Sequence, residues 1–258
     1  MKVSAFIDVG TNSTNLLVTD GDSDITRRIA VTRLGEGLHS SGSLSPAAIE
    51  RTVSVIAQHA DTARSLGANT VTIVGTAACR RAGNTSGLVA AVHDATGLVL
   101  EVISPEEEAR LSFAGATRGL PGLDTGSDVM IVDIGGGSTE ISIGTDTPRV
   151  SFSIPIGAVT ATESDLTADP PRPEDLTNVI GAVQDELEEI GRTAPGALTA
   201  GRVVGVAGTF VTVAAVEIGL AEWDDSALHG FKLTREAAED VFRTLATESI
   251  ADRKLNPG

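Results

Sequence analysis

Cysteine occurs once in the 258 residues, as Cys79, and tyrosine does not occur. A lone cysteine excludes disulfide scaffolds and cysteine-ligated metal sites. It suits a reducing cytosol, where the protein is expected to reside. Aromatic residues are scarce, six Phe and one Trp, too few for a base-stacking platform. Positive charge is short as well: 19 Lys and Arg stand against 35 Asp and Glu, a net charge of −16. That balance argues against nucleic acid or an anionic membrane as partner. Among the basic residues only Lys2, Lys232 and Lys254 are lysine. An arginine-dominated set suits bidentate phosphate contacts and fits genomic composition bias equally well.

Long hydrophobic runs are also missing. The N-terminal MKVSAFIDVG is cut by Asp8 before it could serve as a signal segment. The stretch from Val203 to Leu220 holds Gly205, Gly208, Thr209 and Glu217, and divides into a strand, a glycine turn and a helix. Neither GxxxxGK[ST] nor GxGxxG occurs, which excludes the P-loop and the dinucleotide fingerprint. GxSxG is absent too. The four histidines, His39, His59, His93 and His229, have no metal-ligand spacing and are read as surface or packing residues.

What is present is an ordinary globular balance, 41% apolar and 21% charged. At roughly 150 residues per domain the length predicts two domains, placed at residues 1–125 and 126–258. Strand-like runs cover Val3–Ile7, Leu16–Thr19, Thr70–Val74, Leu98–Ile103, Val129–Val132, Ile141–Ile143 and Arg202–Val206. Helices lie between them. Ser45-Pro46 opens one, with Ile49, Val53, Ile56, Ala60 and Ala63 on one face and Gly67 as its stop. Ser104-Pro105 opens another, and Ser104 with Glu107 forms a capping box. A third, entered through DPPRP at 169–173, places Leu176, Val179, Ile180, Val183, Leu187 and Ile190 inward. A fourth follows Thr234, with Ala237, Ala238, Val241, Phe242 and Leu245 inward. Strands separated by helices predict an α/β protein with largely buried sheets.

A repeat organises this pattern. Residues 8–14 (DVGTNST) and 133–139 (DIGGGST) share Asp, Gly, Ser and Thr at the same offsets, 133 − 8 = 125 residues apart. A second echo, Val74-Gly75-Thr76 against Ala207-Gly208-Thr209, lies 208 − 75 = 133 residues apart. Two matched elements in one order indicate two related halves. A single Asp-x-Gly turn is ordinary hairpin chemistry; the pair is not. Such hairpins present backbone N–H groups and small hydroxyls as a concavity for phosphate oxygens. The adjoining aspartates can hold a hard cation that neutralises phosphate.

These residues resemble a known family. DVGTNSTNLLV, GTAACRRAGN, ISPEEEARLSFAGA, DIGGGSTEISI, PIGAVTATE, GVAGTFVTVAAV and LHGFKLTREAAEDVF are similar, in order, to the motifs of the exopolyphosphatase/guanosine pentaphosphate phosphohydrolase (Ppx/GppA) family. The resemblance implies two ribonuclease-H-like domains around a cleft, the fold of the sugar kinase/heat-shock chaperone/actin superfamily. It also implies Mg²⁺-dependent release of a terminal phosphate from inorganic polyphosphate or pppGpp, and a homodimer. It is to the short form, without the extra C-terminal helical domain. Family members normally continue past the point where Leu255-Asn256-Pro257-Gly258 ends this chain.

Position by position, the resemblance assigns Thr11, Asn12 and Ser13 of the first loop, and Gly136, Gly137 and Ser138 of the second, to phosphate binding. Arg80, Asn84, Gly208 and Thr209 join them. Asp8 and Asp133 are the implied metal ligands, together with Glu140, which is also a second essential acid. Glu108 matches the proposed catalytic base. Arg81 and Cys79 receive no role. By residue chemistry alone the acids Glu106, Glu107 and Glu108 partner the helix dipole, and for the first two that reading stands. Two other functions are open: a kinase of the same superfamily, for which no acceptor pocket is legible, and a non-catalytic sensor of phosphate chains or nucleotides.

Overall fold

The computed structural model describes residues 2–120, 127–196 and 198–256. Its contacts divide the chain into two units, Met1–Glu108 and Ala109–Gly258. The expected boundary, between residues 125 and 126, lies outside the described residues. The division found falls within a helix whose second half packs in the second unit through Phe113, against Val129 and Ile131.

The first unit runs β1 (Ser4–Val9), β2 (Ser13–Thr19), β3 (Asp24–Val31), α1 (Leu38–Ser41), α2 (Pro46–Ser65), β4 (Thr70–Gly75), α3 (Ala77–Arg81), α4 (Thr85–Thr96) and β5 (Leu100–Val102), and enters α5 (Pro105–Gly119). The sheet order is β3-β2-β1-β4-β5. β1 pairs antiparallel with β2, and β2 with β3, whereas β4 and β5 join in parallel after helical crossovers. This is the ribonuclease-H-like arrangement that the resemblance implies. Ala5, Ile7 and Val9 alternate onto one face of β1 and pack with Ile56, Ala60 and Ala63 of α2 and Leu88 and Val92 of α4. α2 begins where Ser45-Pro46 predicts, and the Ser45 hydroxyl accepts from the Ala48 amide at 3.2 Å.

His59 of α2 is the histidine that belongs to this core; His39, His93 and His229 are exposed. Its Nε2 lies 3.3 Å from the Thr14 carbonyl, and burial holds its pKa below the ordinary 6.5. The native state thus binds fewer protons than the unfolded chain once the pH falls below that value. The stability His59 contributes is present above pH 6.5 and is lost on acidification. Thermal melts across mildly acidic pH should show wild type losing more stability than His59→Gln; parallel losses would remove this residue from the acid response.

The second unit continues with β6 (Val129–Ile134), β7 (Thr139–Gly144), β8 (Pro148–Ile154), α6 (Ala158–Ser164), α7 (Pro173–Thr193), β9 (Arg202–Val206), α8 (Ala207–Ile218), α9 (Asp225–Leu228), α10 (Arg235–Thr247) and α11 (Ile250–Arg253). Its sheet is ordered β8-β7-β6-β9, again with antiparallel hairpins on one side and a parallel neighbour on the other. α5 covers one face through Phe113. Ile190 of α7 packs with Met130, Ile141 and Ile143.

Two inward assignments are corrected. Ile180 and Phe242 are 44% and 48% exposed. The buried stripe of each helix is narrower than its apolar content. On α10 Val241 is buried, and Phe242, about 100° further round, already faces out. No helix among the described residues is long and apolar enough to cross a membrane.

Candidate active site

Both Asp-containing repeats close as tight hairpins. The Gly10 amide donates to the Ser13 carbonyl at 2.9 Å, and the Gly135 amide to the Ser138 carbonyl at 3.0 Å. The second echo has a matching structural cause. Thr76 donates its hydroxyl to the Val9 carbonyl at 3.3 Å, and Thr209 donates to the Ile134 carbonyl at 3.1 Å. Each Gly-Thr turn thereby ties its parallel strand to the residue following the aspartate. With its proton committed to Ile134, the Thr209 hydroxyl has lone pairs but no donor left for a phosphate.

A third correspondence appears only in the fold. The amides of Arg33 and Gly35 donate to the Asn12 and Thr11 carbonyls at 2.8 and 2.9 Å. The amides of Ala158 and Val159 donate to the Gly135 and Gly136 carbonyls, both at 2.9 Å. With these turn carbonyls engaged, the loops keep their acceptor oxygens from an anion and are defined by N–H groups and hydroxyls. The approach is close enough to need glycine. A Cβ on Gly157 would lie 2.6 Å from the Gly136 carbonyl, and one on Gly35 would lie 2.3 Å from the Thr11 methyl.

In the first unit the Asn15 amide donates to Asp8 Oδ2 at 3.1 Å, while Asn15 Oδ1 is buried with no partner among the described residues. Thr11 is buried, Ser13 half-buried and Asn12 exposed. Arg80 Nη1 donates to Glu108 Oε2 at 2.6 Å and to the Ile103 carbonyl at 3.0 Å. The two side chains are only 18% and 16% exposed, so the pair is a shielded, charge-assisted contact. Asn84 is placed otherwise. Its Oδ1 accepts from the Leu44 amide at 2.8 Å and its Nδ2 donates to the Leu44 carbonyl at 2.9 Å, which spends the side chain on joining two loops. Arg81 is exposed. Burial pushes the Cys79 thiol up to about 11, so it is no nucleophile at neutral pH.

In the second unit Asp133 stands directly opposite Glu140 across β6 and β7. Burial pushes the Asp133 pKa up, and the Ser112 hydroxyl of α5, donating at 2.8 Å, only partly offsets it. Glu140 is 3% exposed and accepts from the Ser153 hydroxyl at 2.9 Å. Gly137 and Ser138 are buried and Gly136 half-buried beside them, and Gly208 is exposed at the start of α8. Asn15, Ser112 and Ser153 are contributions that sequence reasoning missed. Only Asn15 left a signal: it follows Asp8 by 15 − 8 = 7 residues, as Glu140 follows Asp133 by 140 − 133 = 7.

Among the described residues no group of three or more His, Cys, Asp or Glu could hold a metal. Mg²⁺ does not need one. It binds through one or two carboxylates and fills its octahedron with water and phosphate oxygens. The opposed Asp133 and Glu140, and Asp8 beside the orphaned Asn15 oxygen, have that donor chemistry.

Comparison with known proteins decides the family. The Ppx/GppA phosphatase family matches residues 16–255. The chain belongs to that family. Exopolyphosphatase 2 of Mycobacterium tuberculosis is 36% identical over 238 residues, 87% of this chain and 74% of that protein. A crystallised exopolyphosphatase-like protein superposes with a TM-score of 0.92 at 32% identity, over 98% of this chain and 80% of that one. The Aquifex aeolicus Ppx/GppA protein gives 0.77 at 31%, over 98% and 81%. As a Ppx/GppA protein the chain is a hydrolase of phosphoanhydride bonds.

Proposed function

We propose that this Ppx/GppA member is a Mg²⁺-dependent exopolyphosphatase that releases the terminal phosphate by water attack, with pppGpp as a further substrate. The observation that carries the reading is the shielded Arg80–Glu108 pair. The 2.6 Å contact from Arg80 Nη1 fixes the Glu108 carboxylate in place. Glu108 takes a proton from the attacking water and orients its lone pair. Arg80 uses Nη1 to hold Glu108 and Ile103, and its remaining nitrogens would serve the equatorial phosphate oxygens. Asp133 with Glu140, and Asp8 on its own loop, would supply the carboxylates for Mg²⁺, which would neutralise phosphate charge when bound. Phosphoryl transfer is largely dissociative, so positioning and charge neutralisation carry most of the rate.

The substrate should be short. A chain of net charge −16 repels a polyanion at long range, and binding then rests on local cations and amides. The expected result is a kcat/KM that rises over the first few phosphates and then levels, measured on defined chain lengths at fixed salt. Efficiency climbing steadily into chains of hundreds would show an extended basic track, such as dimerisation could assemble. Binding without phosphate release would instead favour a sensor.

A further inference from the structure

Among the described residues, two that are not glycine have positive φ, Arg33 at 49° and Ala207 at 68°. A backbone of this kind costs a side-chain-bearing residue about 1–3 kcal/mol and tends to gather at functional sites. Arg33 lies in the segment that follows β3, where Thr32, Leu34 and Gly35 on either side of it are buried. Thr32 is fully buried, its hydroxyl 3.0 Å from that of Thr14. Leu34 is fully buried, and Gly35 presses on Thr11. Arg51 holds the Thr32 carbonyl at 2.7 Å and the Arg33 carbonyl at 3.3 Å, and also pairs with Glu36 at 3.1 Å. The nearest acid in the segment is therefore already neutralised. Arg33 itself is exposed and forms no ion pair with any described residue, while its amide is bound to the Asn12 carbonyl. Sheet order sets it on the β3 flank of the first hairpin, with Arg80 following β4 on the other.

We propose that Arg33 is a substrate-binding residue, a guanidinium held at the rim of the first phosphate loop for the oxygens of an inorganic phosphate chain. It answers a need of so acidic a chain: a cation at the loop that no carboxylate has already taken. The inference rests on the phosphate-chain reading above, but its test does not depend on turnover. The probe is inorganic tripolyphosphate, titrated calorimetrically at fixed salt and Mg²⁺, with phosphate release measured separately.

Arg33→Asn removes the guanidinium and keeps a residue that tolerates left-handed backbone. It should weaken binding tenfold or more, with an unchanged melting temperature and a KM that rises far more than kcat falls. Arg33→Lys should recover part of the affinity. Arg64→Gln, at the far end of α2, makes the same change of net charge and should alter binding less than twofold. Affinity within twofold of wild type in Arg33→Asn, or an equal loss in Arg64→Gln, overturns the proposal. A wild type that binds tripolyphosphate without releasing phosphate defeats the hydrolase reading and leaves Arg33 to be judged by affinity. A wild type that does not bind it overturns both.

Discussion

Glu108→Gln should lower turnover by roughly 10²–10⁴-fold, the usual contribution of a positioned general base. The replacement keeps the shape and the acceptor oxygen that Arg80 meets at 2.6 Å, so the site should stay assembled. What it removes is the ability to take a proton. Because Arg80 is no longer matched by a charge, its guanidinium becomes more available to phosphate, and the dissociation constant should stay level or tighten. Glu107→Gln is the contrast. Its backbone amide donates to the Ser104 hydroxyl at 3.2 Å whichever side chain it bears, and turnover should hardly change. Turnover in Glu108→Gln equal to wild type would remove Glu108 from the chemistry.

Asp133→Asn should abolish most activity at ordinary Mg²⁺ and raise the Mg²⁺ needed for the remainder, because a hard cation loses an anionic oxygen. Stability should move the other way. The folded pKa of Asp133 lies above its ordinary 3.8, so the native state binds more protons than the unfolded one in the interval between the two values. Stability then falls as pH rises through that interval, and above it wild type carries the cost of a buried carboxylate. Asparagine carries no such charge. Without Mg²⁺ the variant should melt above wild type at neutral pH, and this difference should shrink on acidification. With Mg²⁺ at about 100 times its dissociation constant, wild type gains about 2.7 kcal/mol by linkage, and the variant gains little. A matching Mg²⁺-induced shift in both proteins would contradict the assignment.

The legible parts of this chain were those whose physics is local. Asp8-Val9-Gly10 and Asp133-Ile134-Gly135 must be read as hairpins because a tight turn needs glycine beside a capping acid, and the structure closes both with the same bond. Ser45 announced its helix through a cap that forms as expected, and the helix read after Thr234 begins there, with the Thr234 side chain accepting from the Ala237 amide. The strands β3 and β8 went unread. β3, DITRRIAV, is a sheet-edge strand in which Arg27 and Arg28 interrupt the apolar residues, and its Ile25, Ile29 and Val31 are exposed. α4 was missed because Gly87 dilutes its pattern and only Leu88 and Val92 are buried.

At the site, residue types were visible but pairings were not. Arg80 meets Glu108 across 28 positions, Ser112 meets Asp133 across 21, and Asn84 meets Leu44 across 40. No local spacing encodes such contacts. Asn84 shows the consequence: a polar residue beside a phosphate motif turned out to fasten a loop.

The central claim is that this Ppx/GppA protein cleaves phosphoanhydrides with water, using a carboxylate base and a divalent cation. The most direct test is the initial rate of phosphate release from a short polyphosphate, with no acceptor added, in Mg²⁺ and again after EDTA. The account predicts steady release in Mg²⁺ that EDTA abolishes and restored Mg²⁺ recovers. Release that is indifferent to EDTA, or tight binding with no phosphate released in Mg²⁺, would contradict it.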